Sequence, residues 1–205
     1  MGQRQLCYFQ SGNRSGATGE HSGKTGAAFS RFRGLSVTKT LDKARPALAA
    51  KSKGSWLVAT FFGIGHLRPG PGTYASATTV LLWWAAARVI DSRWQLFVAL
   101  ALALAVTALG IRPSTVVARE SGVKDPGFVV IDEVAGQLIA LIGVPLDWKY
   151  LLAGFILFRG FDITKPFPLR RLEALPEGTG IMMDDVGAGL YALLLLQIWI
   201  HLLAR

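Results

Sequence analysis

The sequence predicts an all-α protein: a multi-pass helical membrane bundle of about four to five membrane helices, preceded by a disordered basic tail. Three observations predict it. The 205 residues are 51% hydrophobic and only 17% charged, with a mean hydropathy of +0.39, which is too apolar for an ordinary soluble domain. The apolar residues come in long runs, and one of them, WQLFVALALALAVTALGI, has no charge at all. The charge is also lopsided. Residues 1–55 hold ten Lys and Arg against Glu20 and Asp42, whereas residues 56–205 hold twelve basic against eleven acidic residues. The net charge of +9 therefore belongs to a tail, and with no recognition motif in that tail it does not describe a nucleic-acid surface. The chain divides into a tail, 1–55, and a membrane-embedded helical domain, 56–205.

The tail is rich in Gly, Ser, Arg and Lys and lacks sustained periodicity, so it reads as disordered, with a short helix around Thr38–Ala50. Its composition also fits an organelle transit peptide or an over-long gene start. GEHSGKT resembles a phosphate-binding loop, but Gly19 to Lys24 is one residue too short and no apolar strand precedes it. Six residues separate Cys7 from Arg14, where a cysteine phosphatase loop needs five. Cys7 is the single cysteine and His21, His66 and His201 are scattered, which excludes an intrachain disulfide and argues against a zinc cluster.

From Trp56 the character changes. Apolar spans are expected near 74–90, 94–111, 129–145, 149–161 and 186–204. The second and fifth are strong; the third opens on acids and the fourth is short. The basic tail, with Lys51, Lys53 and Arg68, favours the cytoplasmic side for the N-terminus. Five alternating spans then put 91–93 and Pro145–Lys149 outside, with Trp94 and Trp148 as interfacial anchors, and put 63–73, 112–128 and 162–185 inside. This topology gathers Gly-Pro turns and acids from four separated segments at one membrane face.

The residues gathered there define a chemistry. In VVIDEVAGQ, Glu133 and Gln137 share a helix face while Asp132 points elsewhere. The acids at a helix start complement its dipole by about 0.3–1 kcal/mol, yet ionisable groups facing a membrane bundle are usually functional. An N-cap role at the last span would account for Asp184, but one cap explains one Asp and not the pair Asp184–Asp185. Adjacent carboxylates repel unless a cation neutralises them, and hard oxygen ligands suit Mg²⁺ or Mn²⁺. The expected metal ligands are Glu133, Asp184 and Asp185, with Asp132 as a further candidate. In FRGFDITKPFPLRR, Arg159, Lys165, Arg170 and Arg171 surround Asp162. Arg offers a fork of donors to phosphate and Lys a point charge, while Arg170 and Arg171 also fit a juxtamembrane patch for anionic lipid. In GIGHLRPGPGTYAS, the glycines permit close backbone approach, and Thr73 is expected to cap a helix whose N-terminus can hold an anion. Metal-binding acids, phosphate-binding bases and a Gly loop at a bilayer surface point to phosphate chemistry on a lipid.

GxGxLRPGPGTxAS, VIDEVxGQ, FRxFDxxKPFPxR and GTGIMMDDVxAGLYA resemble the motifs of the bacterial phosphatidylglycerophosphatase A family, in the same order, from about Leu57 to Leu194. The resemblance implies a Mg²⁺-dependent enzyme of the bacterial inner membrane. It would remove the terminal phosphate of phosphatidylglycerophosphate to give phosphatidylglycerol, with its active site on the cytoplasmic face. Asp132, Glu133, Asp162, Asp184 and Asp185 match the family's acidic positions; Arg159, Lys165 and Arg170 match its basic ones; Gly72 and Thr73 match its loop. Within that set we expect Glu133, Asp184 and Asp185 to hold metal, and Gly72, Thr73, Arg159, Lys165 and Arg170 to bind substrate. Asp132 and Asp162 are expected to orient water or act as base. A transporter would place its acids near the midplane between repeats. A lipid binder would need the bases without five acids. A CDP-alcohol phosphatidyltransferase would carry carboxylates every four residues after a D-G pair, and that pattern is absent.

Overall fold

The computed structural model describes residues 52–172 and 175–203. The expected helix at 38–50 and the tail as far as residue 51 lie outside the described residues, and Lys53–Ser55 belong to the first helix. Among the described residues seven α-helices follow one another: α1 (Lys53–Ala59), α2 (Pro71–Ala87), α3 (Ser92–Ser121), α4 (Ile131–Ala140), α5 (Trp148–Thr164), α6 (Leu169–Leu172) and α7 (Glu177–Ile198), the last extended by a wider π turn, Trp199–Leu203. A 3-10 turn, Ile64–His66, joins α1 to α2. No strand occurs among the described residues.

Local chemistry sets most of the boundaries. Gly70 stands before α2 with φ +74°, and Pro71 supplies the first helical residue, where a missing N–H costs nothing. Thr73 is thus not the cap expected of it; it lies exposed in the first turn. Asp91 caps α3 by accepting from the Arg93 N–H (3.2 Å), and Gly122, at φ +70°, ends it. Asp147 caps α5 through the Lys149 N–H (3.0 Å).

The segments from α2 to α7 alternate in direction. Trp83, Ala87, Ala99, Leu141, Leu151 and Leu196 form one apolar cluster, so the end of α2, the start of α3, the residues after α4, the start of α5 and the end of α7 meet at one pole. The start of α2, the starts of α4 and α7 and the end of α5 meet at the other. Glycines let the backbones close. A Cβ on Gly189 of α7 would strike the Gly136 carbonyl of α4, and one on Gly178 would strike Ile111 and Thr115 of α3. Small residues at crossings are how helices pack without a water-driven core.

Three expectations change. The third span, 129–145, is helical only over the ten residues of α4, because Gly143 turns with φ +68° and Pro145 follows. The second runs ten residues further, to Ser121, with Pro113 inside it. The fifth begins at Glu177 rather than near 186, so Asp184 and Asp185 lie two turns inside α7 and neither caps it. Packing of Gly178 on α3 carries the helix through a glycine-rich stretch that propensity alone would leave loose. By length and composition α3 and α7 can each cross a bilayer; α2 and α5 have 17 residues each, about 25 Å. Large apolar side chains point outward along α2, α3, α5 and α7, among them Leu81, Phe97, Leu104, Leu109, Ile156 and Leu194. A soluble monomer rarely exposes such a contiguous apolar surface.

Candidate functional site

Every residue of α4 except Glu133 is buried, so the first turn of this short helix carries two acids into the interior. Asp132 is 8% exposed and Asp185 of α7 is 3% exposed. One carboxylate oxygen from each of Asp132, Glu133 and Asp185 lies within 4.8 Å of the others. Asp132 Oδ1, Glu133 Oε2 and Asp185 Oδ2 are buried without a hydrogen-bond partner. Unpaired charges of one sign in a low-dielectric interior are strongly unfavourable, and three oxygens so disposed fit a hard divalent cation.

Around this trio stand the bases. Arg159 of α5 reaches Asp162 at 2.5 Å and Glu133 at 3.8 Å, with all three side chains mostly buried. Its buried Nε donor has no hydrogen-bond partner. Lys165 ends α5 in the left-handed region, φ +42°, an uncommon conformation for a residue with a Cβ. Its Nζ sits 2.6 Å from Asp184 Oδ2. Asp184 in turn accepts the Asp185 N–H at 3.0 Å. Gly72 touches both halves of the site, since a Cβ there would collide with Glu133 Oε1 and press on Arg159. Gly65 and Arg68 of the preceding segment and Pro71 at the start of α2, with Gly127 and Phe128, line a cavity of about 390 Å³.

The structure therefore brings together Gly72, Asp132, Glu133, Arg159, Asp162, Lys165, Asp184 and Asp185. Thr73 is one residue beyond Gly72, and Arg170 is exposed on α6. The grouping of the acids differs from the expected one in a single respect: Asp132 joins Glu133 and Asp185, while Asp184 faces Lys165. Three residues receive no site role in the sequence reading, although it places Gln137 on the Glu133 face. Ser76 and Gln137 are fully buried, and the Ser76 hydroxyl and both amide atoms of Gln137 have no hydrogen-bond partner. Each lies one turn beyond a site residue, Gly72 and Glu133, and each closes a quoted motif, which was the available signal. Asp125, exposed beside Pro126, adds negative field at Asp132 and Asp184. Nothing in its local sequence distinguishes it from a loop acid.

Comparison with known proteins bears on what this site does. Residues 57–200 match the family described as phosphatidylglycerophosphatase A. The chain is 38% identical to a phosphatidylglycerophosphatase A of Haemophilus influenzae over 149 residues, covering 70% of this chain and 88% of that protein. It is 35% identical to one of Escherichia coli K12 over 142 residues, covering 68% of this chain and 80% of that protein. A Bacteroides thetaiotaomicron protein with the provisional name of phosphatidylinositol-3-phosphatase is 36% identical over 145 residues, covering 69% and 91% of the two chains. No solved structure matches.

Proposed function

We propose, for a chain that belongs to the phosphatidylglycerophosphatase A family, hydrolysis of the terminal phosphate of phosphatidylglycerophosphate to phosphatidylglycerol at a bilayer surface. The observation that carries this reading is the trio of acids, each with one buried oxygen that lacks a hydrogen-bond partner, set beside Arg159 and Lys165. Asp132, Glu133 and Asp185 are the residues that would hold Mg²⁺. Bound there, a divalent cation screens the phosphate oxygens and acidifies water, which matters because phosphate monoester hydrolysis is among the slowest uncatalysed reactions.

The chain's own groups do the rest. Arg159 presents its free Nε edge to a phosphate oxygen, and Asp162 fixes the guanidinium plane. Lys165 adds a point charge whose position Asp184 sets. Gly72 lets the start of α2 approach the phosphate where a side chain would block it. Water attacks phosphorus, its proton passes to a carboxylate of the site, Asp162 and Asp184 being the two outside the metal trio, and the P–O bond to the glycerol breaks. The departing glycerol oxygen takes up a proton, leaving an alcohol and inorganic phosphate. The alternating helices support a multi-pass placement in the inner membrane with this pole cytoplasmic, where Arg170 and Arg171 meet anionic lipid.

The test is phosphate release from phosphatidylglycerophosphate by detergent-purified protein, with Mg²⁺ and again with EDTA. Metal-dependent release is expected. No release in either condition from folded protein would turn the reading towards lipid binding. Phosphatidylinositol 3-phosphate belongs in the same assay, because one relative carries that substrate in its name; faster turnover of it would reassign the headgroup.

A further inference from the structure

An apolar groove of about 490 Å³ lies between α2 and α5, on the outer surface of the bundle. Ala77, Leu81 and Trp84 line it from α2, and Trp148, Leu152 and Phe155 from α5. These positions form one stripe on each helix. On α5 the stripe continues one turn past Phe155 to Arg159. On α2 it continues one turn back from Ala77 to Thr73, beside Gly72, which touches Glu133 and Arg159. The groove thus starts directly beneath the polar site and runs away from it.

We propose that this groove holds one acyl chain of the lipid substrate, an inference that rests on the lipid phosphatase reading above. Three features select that occupant. The stripes that line the groove lead to Thr73 and Arg159, so a molecule whose phosphate lies on Arg159 has its glycerol backbone at the groove's upper end. The depth agrees: Phe155 to Trp148 spans about 6 to 16 Å below Arg159 along α5, and one leaflet of hydrocarbon is about 15 Å thick. The named lining side chains are all apolar, which suits an alkyl chain and excludes a polar headgroup or a charged peptide. Trp84 and Trp148 close the far end, the former with Arg88 stacked on its ring at 4.5 Å.

Filling the groove tests it. Ala77→Phe and Leu152→Trp each reduce the room for a chain, while Ile156→Trp, on the adjacent outward face, serves as control. Steady-state hydrolysis is measured on two substrates: diacyl phosphatidylglycerophosphate at fixed detergent mole fraction, and its deacylated headgroup, glycerophosphoglycerol phosphate. The expected result is a rise of about tenfold in KM for the diacyl substrate with kcat nearly unchanged, as for lost binding made equally in ground and transition states. The deacylated substrate should be turned over equally well by wild type and both groove variants, and the control should change neither. Equal effects on both substrates, or no effect on the diacyl one, would overturn the groove assignment and leave the phosphatase reading standing. Altered oligomeric state by light scattering with an unchanged substrate ratio would assign the groove to a second copy of the chain. Hydrolysis of neither substrate by wild type would overturn both readings.

Discussion

Replacing Glu133 with Gln removes one negative charge and keeps the shape that rests on Gly72 and Arg159. The same holds for Asp185→Asn in the middle of α7. If these oxygens hold the metal, each variant should lose about a hundredfold or more in phosphate release while keeping its circular dichroism and its elution as a folded species. Near-normal turnover in both would sink the site. Lys165 and Asp184 make a different prediction. Lys165→Met leaves Asp184, 6% exposed, without its 2.6 Å partner, at a cost of about 2 kcal/mol or more in stability. Adding Asp184→Asn should recover much of that loss in detergent unfolding but none of the activity. Activity rescued along with stability would mean that Lys165 is structural only.

At the scale of helices, α7 is the hub. It meets α3 at Gly178, α6 at Gly187 and α4 at Gly189. Gly189→Ala forces a methyl against the Gly136 carbonyl and should lower stability by about 1–3 kcal/mol, read as a lower midpoint of thermal unfolding in detergent. Gly54→Ala in α1, where an added Cβ meets nothing within 4 Å, should instead be neutral or slightly stabilising. The contrast matters for function, because the α4–α7 crossing sets the distance between Glu133 and Asp185. The short α1 is tied by other means: Glu120 of α3 accepts from the Trp56 indole at 2.6 Å and the Ser52 N–H at 3.1 Å, and Trp56 stacks on Phe128.

For the molecule as a whole, the outward apolar side chains of α3 and α7 require a partner other than water. Full-length protein in membrane vesicles should stay in the pellet after alkaline carbonate extraction; release into the supernatant would argue against spans. Antiparallel packing also explains how a site forms from residues up to 113 positions apart, Gly72 to Asp185. Each of α2, α4, α5 and α7 reaches the same pole with a few polar residues, and most of the rest of each helix is apolar.

The sequence by itself determined the helical class, the two longest apolar helices and most of the candidate site's membership, because hydrophobic runs, Gly-Pro turns and acids inside apolar stretches are local signals. Asp184 and Asp185 both read as metal ligands there; neighbours on a helix diverge by about 100°, so which of them faces Asp132 and Glu133 lay beyond the sequence. That was decided by tertiary packing: the close approach of Gly136 and Gly189 sets α7 against α4, turns Asp185 toward Glu133, and leaves Asp184 to Lys165. Packing likewise decided the early start of α7, the short α4, and the burial of Gln137 and Ser76 with unpaired polar atoms. Burial belongs to the assembled helices, and no single stretch of residues encodes it.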